Sequence, residues 1–342
     1  MSARQRYVCA SLKTYHIAVV GATGAVGTEL MRVLERRAFP VAKLRAISSQ
    51  RSAGKRISFL NENVPVEQLS NDSFKNVDIA FFSAGSEISR TIVPKARDAG
   101  AVIIDNSPAF RMDPDVPLVI PEINGDDVRN HRGIIANPNC TAAVGLMAIY
   151  PLHRVFGVQR VIGASYQAVS GTGARAITEL NEQVHASVEK REAKPEVYPH
   201  PIAFNVLPHI GSSLTSGYTS EEEKFQSEGR KIMHLPEFRA SVTCVRVPVY
   251  RAHSVAISAE FSRPVSIDQA REVLAKAPGL ELLDDTPNNS YPMPLFMAGR
   301  DNCAVGRLRR DCAFENGLAF WVCGDQLLKG AALNAVQIAE LL

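Results

Sequence analysis

Over the first 140 residues, short β-branched runs alternate with longer segments whose apolar positions recur at helical spacing. Ile17-Ala18-Val19-Val20, Leu44-Arg45-Ala46-Ile47, Val77-Asp78-Ile79-Ala80-Phe81-Phe82 and Ala101-Val102-Ile103-Ile104-Asp105 read as strands, with helices at 28–37 and in a segment ending near Asp98. Such alternation predicts a mostly parallel, doubly wound sheet. Beyond residue 158 the pattern changes. β-rich runs appear at 160–169 and 241–261, with a hairpin over 303–323 that turns near Glu315-Asn316-Gly317 and a helix at 174–188 among them. A second sheet follows, with helices on one face and the other free to bury a subunit partner. The fold class is therefore α/β: a Rossmann-type, doubly wound, mostly parallel sheet plus an α+β catalytic and dimerisation domain. The expected division is a dinucleotide-binding domain over 1–138, completed by an amphipathic C-terminal helix within 325–342, and a second domain over 139–324.

The first strand runs straight into Gly21-Ala22-Thr23-Gly24-Ala25-Val26-Gly27 and then a helix. In that context glycines permit the tight turn and close backbone approach that a pyrophosphate needs, and the helix start supplies N–H donors. Gly21, Thr23, Gly24, Ala25, Val26 and Gly27 are the candidate dinucleotide contacts. After the second strand comes Ser48-Ser49-Gln50-Arg51-Ser52-Ala53-Gly54-Lys55, with no Asp or Glu to hold a ribose hydroxyl pair. Ser49, Arg51 and Ser52 suit a 2′-phosphate instead, which points to NADP over NAD. Ligands in such sheets bind beyond the C-terminal strand ends, where Ser83, Gly85 and Asn106 fall.

Asn137-Pro138-Asn139-Cys140-Thr141-Ala142 puts a cysteine where an irregular turn meets an apolar helix over 141–156. A helix start favours thiolate over thiol and can bind a developing oxyanion. Taken alone, Cys140 also fits a small buried hydrophobe.

Composition narrows the classes. The 342 residues suggest two domains, and the 46% hydrophobic and 21% charged fractions are those of an ordinary globular protein. A net charge of +3, with 38 Lys+Arg against 35 Asp+Glu and no dense basic run, argues against nucleic acid and membrane surfaces as partners. Residues 1–15 lack a signal-peptide core and read as a short extension of a cytoplasmic protein. Six cysteines without a C-x-x-C pair fit free thiols in a reducing compartment, and Cys303, Cys312 and Cys323 read as buried strand positions rather than a metal cluster.

Seven motifs then occur in one order: Gly21 to Gly27, Asp105-Asn-Ser-Pro-Ala-Phe-Arg111, Asn137-Pro-Asn-Cys140, Tyr166-Gln-Ala-Val-Ser-Gly-Thr-Gly173, Ile202-Ala-Phe-Asn-Val-Leu-Pro-His209, Glu221-Glu-Glu-Lys224 and Val245-Arg-Val-Pro-Val249. From about residue 15 onward the chain resembles the bacterial aspartate-β-semialdehyde dehydrogenases. The resemblance implies NADPH-dependent reduction of β-aspartyl phosphate to aspartate semialdehyde with release of phosphate, in the synthesis of lysine, methionine and threonine, by a homodimer or homotetramer. It implies Cys140 as the nucleophile that forms a thioester, His253 as acid/base and Gln167 as the amide that orients the intermediate. Arg246 would grip the α-carboxylate, Glu221 the amine, and Arg111 with Lys224 the phosphate, beside Asn106. Ser170, Gly171 and Gln326 would lie on the nicotinamide side.

Gln326 stands where the family usually has Asn, Thr172 replaces a frequent Ala or Gly, and the first 14 residues have no counterpart. Arg246 and His253 are an odd number of positions apart, so one unbroken strand would point them to opposite faces. A bend at Pro248 is expected. An N-acetyl-γ-glutamyl-phosphate reductase is the nearest alternative, opposed by Glu221, which suits a free amine. A non-catalytic paralogue is opposed by the joint presence of Cys140, Gln167, Arg246 and His253.

Overall fold

The computed structural model describes residues 13–342, so most of the expected N-terminal extension, with Cys9, lies outside the described residues. Seven strands form the first sheet: β1 (Tyr15–Val20), β2 (Val41–Ser48), β3 (Arg56–Phe59), β4 (Glu62–Gln68), β5 (Ile79–Phe82), β6 (Val102–Asp105) and β7 (Ile134–Ala136), in the order β3-β4-β2-β1-β5-β6-β7. All neighbours are parallel except β3 and β4. Ile17 to Val20 are buried throughout, which is why the strand reads as a continuous apolar run rather than an alternating one. The β3–β4 hairpin was not expected from the pattern, because its strands are short and mostly polar, with β3 at the edge of the sheet. Its turn puts Leu60 and Asn61 at φ 47° and 63°, the left-handed pair that a tight two-residue hairpin requires.

Helix α1 (Ala25–Arg36) follows β1 and α2 (Ser86–Asp98) follows β5, each beginning at the C-terminal edge of the sheet. The short α3 (Pro121–Asn124) precedes β7, and α4 (Cys140–Phe156) leads into the second half. There the elements are β8 (Val158–Gln167), α5 (Ala174–Val188), α6 (Ser220–Ile232), β9 (Arg239–Arg246), β10 (His253–Phe261), α7 (Ile267–Ala275), β11 (Leu280–Leu282), α8 (Pro294–Met297), β12 (Cys303–Arg310) and β13 (Gly317–Gly324). The second sheet is mixed, in the order β11-β12-β13-β10-β8-β9. Helices α4, α6 and α7 cover one face, and on the other Ile162 is 52% exposed and Tyr166 packs on Trp321 with ring centroids 5.1 Å apart.

Three expectations need correction. The run over 241–261 is two strands that are not neighbours: β8 lies between β9 and β10, and residues 247–252 cross the end of β8. Parity along a single strand therefore never applied to Arg246 and His253. Gln167 pairs with Arg246, and Tyr166 with Ser254, so Arg246, Gln167 and His253 come together at one end of three adjacent strands. The C-terminal segment is not amphipathic. Asp325 to Val336 are all buried, because the π-helical turn Leu328–Ala332 and α9 (Leu333–Ala339) wedge between α1 and α4. Finally, Cys303 and Cys323 are buried on strands, but Cys312 lies exposed in the loop of the last hairpin. No helix among the described residues is long and apolar enough to cross a membrane.

Close backbone approach fixes the glycine turn. Gly21 has φ +87°, and a Cβ there would stand 2.2 Å from the Ser83 carbonyl oxygen; one on Gly27 would stand 2.2 Å from that of Gly21. Gly21→Ala combines left-handed strain with a backbone clash and is expected to lower unfolding stability by about 3 kcal/mol, read from the urea midpoint. An unchanged midpoint would contradict this packing.

Candidate active site

Helix α4 starts at Cys140 because Asn139 caps it. The Asn139 Oδ1 accepts the N–H groups of Thr141 and Ala142 at 3.0 and 3.1 Å, and the Asn139 carbonyl takes that of Ala143. The helix start is thus largely satisfied by its own cap, leaving the Cys140 N–H as the first-turn donor without a protein acceptor among the described residues. This is one oxyanion donor, fewer than a bare helix terminus offers.

Asn139 is itself gripped by α6. Glu221, Lys224 and Glu228 share one face of that helix by their spacing of three and seven. Glu221 Oε1 accepts the Asn139 side-chain amide at 2.8 Å and the Gln167 amide at 3.4 Å, while Lys224 donates to Oε2 at 2.9 Å. Glu228 Oε2 accepts the Asn139 backbone N–H at 2.6 Å, and its Oε1 accepts Arg111 Nη1 at 3.0 Å. Arg111 also donates from Nε to the Asn137 carbonyl and from Nη2 to that of Asn106, at 2.9 and 2.8 Å. The Asn137 amide bridges Asn106 and Asn334, at 2.9 and 2.7 Å. Glu228 and Asn334 carried no motif in the sequence, and for Glu228 the helical spacing from Glu221 was the only available signal.

The three strand ends meet this turn. Arg246 Nη1 donates to the Ala168 carbonyl at 2.7 Å, and the Ala168 N–H donates to His253 Nδ1 at 3.1 Å. Accepting at Nδ1 assigns the proton of the neutral ring to Nε2, which is buried without a partner. A Cβ on Gly171 would sit 3.1 Å from that nitrogen, and one on Gly330 only 2.8 Å from the Cys140 Cβ. Two glycines therefore let the backbone close on the reacting groups. Gln326 is occupied at both ends: its Oε1 accepts the Ala252 N–H at 2.8 Å, and its Nε2 donates to the Ser170 hydroxyl. The expected nicotinamide-side amide is, in this chain, a tie between the loop before His253 and the Ser170 loop.

Burial dominates the titration of the site. It pushes the Cys140 thiol up to about 11, with Glu221 adding to the rise and Arg246 and Arg111 opposing it. The thiolate expected from the helix start is thus not the resting form. Burial, then Arg246, pushes His253 down to about 3, so the imidazole is neutral. Burial would raise the Glu221 carboxyl, but Lys224 and the Asn139 hydrogen bond outweigh it and hold the group below its ordinary value.

A cleft of about 420 Å³ connects these groups, running from Val26, Ser83 and Gly85 past Cys140, Ser170 and Gly171 to Asn106, Arg111, Lys224 and Arg246. The remaining glycine-turn residues Gly21, Thr23, Gly24, Ala25 and Gly27 do not line it and lie at its nucleotide end, beside Val26. There Gly24 caps α1 with no side chain, leaving the first N–H groups of that helix open, and Thr23 Oγ1 lies 2.9 Å from Ser48 Oγ and 3.3 Å from Ser52 Oγ. Ser49 and Arg51 are exposed beside them. This arrangement fits a dinucleotide: open helix N–H groups for the diphosphate, then hydroxyls and a guanidinium with no carboxylate at the ribose end.

The chain matches the family description "Semialdehyde dehydrogenase, NAD binding domain" over residues 16–131 and "Semialdehyde dehydrogenase, dimerisation domain" over 149–329. It is 48% identical to the aspartate-semialdehyde dehydrogenase of Synechocystis sp., over 95% of this chain and 96% of that one. To the enzyme of Aquifex aeolicus it is 50% identical, over 96% and 98%. Among solved structures, aspartate semialdehyde dehydrogenase II of Vibrio cholerae, complexed with ASA, superposes with a TM-score of 0.94 at 39% identity, over 97% of this chain and 98% of that one. Matched over nearly its whole length by these family descriptions and relatives, the chain belongs to the aspartate-semialdehyde dehydrogenase family and has its activity in the biosynthesis of the aspartate-derived amino acids.

Proposed function

We propose that this enzyme uses NADP to convert L-4-aspartyl phosphate to the semialdehyde through a thioester on Cys140. The observation that carries the reading is one cleft lined by Cys140, at the first turn of α4, and by Gln167 and Arg246 from the ends of β8 and β9, with His253, at the start of β10, directly behind Gly171 of its wall. Arg246 binds the α-carboxylate, Glu221 the ammonium, and Arg111, Lys224 and Asn106 the phosphate. A buried Glu221 held ionised suits a free amine over an N-acylated one, which favours an aspartyl substrate over an acetylglutamyl one. The dinucleotide rests on Gly21, Thr23, Gly24, Ala25, Val26 and Gly27, with Ser49, Arg51 and Ser52 at the 2′-phosphate and Ser83, Gly85, Ser170 and Gly171 along its nicotinamide half.

The residues divide the chemistry. Cys140 attacks the acyl carbon, its thiol proton passes to the departing phosphate, and hydrogen phosphate leaves toward Arg111 and Lys224. The bound nicotinamide supplies the hydride. The developing oxyanion takes hydrogen bonds from the Cys140 N–H and from His253 Nε2–H, and its collapse returns a thiolate to the field of Arg246 and Arg111. The resting thiol needs activation, and the substrate contributes to it. An ammonium against Glu221 cancels the charge that, after burial, most raises the Cys140 thiol. The exposed face of the second sheet, around Ile162 and Tyr166, is the surface on which we place the homodimer contact, and the domain boundary falls within the Pro138-Asn139 turn.

Three outcomes test this reading. Cys140→Ser should lose phosphate-dependent NADP reduction with aspartate semialdehyde by about a thousandfold or more while keeping its circular dichroism, because an ester is a poorer hydride acceptor and alkoxide a poorer leaving group. Retained turnover would sink the nucleophile assignment. Without substrate, alkylation of Cys140 by iodoacetamide should climb about tenfold per pH unit from pH 7 to 10, since thiolate is the minor form below a pKa of about 11. A plateau near pH 7 would show a preformed thiolate. Arg51→Glu should raise the NADP KM about tenfold and leave the NAD KM within about twofold; equal effects would remove Arg51 from the 2′-phosphate.

A further inference from the structure

Glu228 is a carboxylate with 1% exposure, and no step of the reaction above uses it. A buried carboxylate is costly unless each oxygen is matched, and both matches here lie in the active site. One oxygen takes Arg111 Nη1, the other the N–H of Asn139, the residue before the nucleophile. We propose that Glu228 is a positioning residue for the reaction: one side chain fixes both the phosphate-facing guanidinium and the turn that carries Cys140.

The hydrogen-bond inventory of Arg111 supports this. A guanidinium has five N–H donors. Nε goes to the Asn137 carbonyl, one Nη1 proton to Glu228 and one Nη2 proton to the Asn106 carbonyl. Two donors remain, one on each terminal nitrogen, and Glu228 fixes which way that remaining pair faces. Charge gives the second consequence. Three cations, Arg111, Lys224 and Arg246, and the anion Glu221 line the cleft, and Glu228 lies buried behind Arg111, so these five groups carry a single net positive charge with Glu228 ionised and two without it. Glu228 thus restrains phosphate affinity while it orders the nucleophile. Binding of phosphate and rate of reaction should therefore move in different directions when it is neutralised.

The proposal rests on Arg111 as part of the phosphate subsite. The experiment measures kcat and the phosphate KM of the intact enzyme, oxidising aspartate semialdehyde with NADP, for Glu228→Gln, Glu228→Asp and Arg111→Gln. In Glu228→Gln, kcat should fall about tenfold or more, because a displaced nucleophile turn costs rate, and the phosphate KM should fall about threefold, because the cleft gains net charge. Glu228→Asp keeps the charge but shortens the reach, so kcat should fall with the phosphate KM within about twofold of the parent. A merely structural residue would reduce the active fraction without tightening phosphate. Parental kcat in both Glu228 variants, or a phosphate KM that rises in Glu228→Gln, overturns the proposal. Should Glu228→Gln fail to fold, Glu228→Asp decides: lowered kcat at parental KM supports it and parental kcat overturns it. An unchanged phosphate KM in Arg111→Gln would strike the subsite reading, whereas a lowered kcat in Glu228→Asp would still report the loosened hold on Asn139.

Discussion

The hold on Asn139 is the constraint on which the active site depends. Its side-chain oxygen caps α4, its side-chain amide is taken by Glu221, and its backbone N–H by Glu228. The nucleophile is the next residue and inherits a fixed position from these contacts. They also join α6 to the turn after β7, so a helix from later in the chain orders the turn that precedes the proposed nucleophile. From the other side the π-helical turn at Leu328–Ala332 presses Gly330 against the Cys140 Cβ. Cys140 is therefore braced by elements from the middle and the far end of the sequence.

Bracing has an electrostatic cost. Burial disfavours the charged forms of Cys140, His253, Glu221 and Glu228, and the site responds by pairing what must stay charged and neutralising what need not. Arg111 pairs with Glu228 and Lys224 with Glu221, while cysteine and histidine stay neutral. The helix dipole favours thiolate by about 1 kcal/mol at most sites, which is small against burial in such a cleft. Position on a helix start alone was thus a good guide to where the cysteine sits and a poor one to its resting charge.

The same distinction describes how much was legible in the sequence. Local signals placed most elements: continuous apolar runs gave β1, β5 and β6, the glycine turn gave the start of α1, and Glu315-Asn316-Gly317 gave the last hairpin. The polar β3–β4 hairpin was missed because an edge pair buries too little to show alternation. What no local pattern holds is strand order. The chain does bend at Pro248 as expected, in the connection after β9, but only the insertion of β8 between β9 and β10 explains how Arg246 and His253 share a site, and that arrangement is a tertiary fact. The C-terminal helix likewise looked amphipathic by spacing, yet it is enclosed by partners distant in sequence. Among site residues, those in contiguous motifs were found. Glu228, whose role arises from contacts to residues 89 and 117 positions away, was not.

A neutral imidazole whose Nδ1 is already an acceptor is suited to one task. Protonating His253 would require giving up the Ala168 N–H and placing a second cation beside Arg246, so in the mechanism proposed above the ring acts as a hydrogen-bond donor through Nε2. Activation of Cys140 must then come from the field, and the field is incomplete until the substrate arrives. Its ammonium offsets Glu221, leaving Arg246 and Arg111 to act on the sulfur. Nucleophile formation is thereby tied to occupation of the amine subsite.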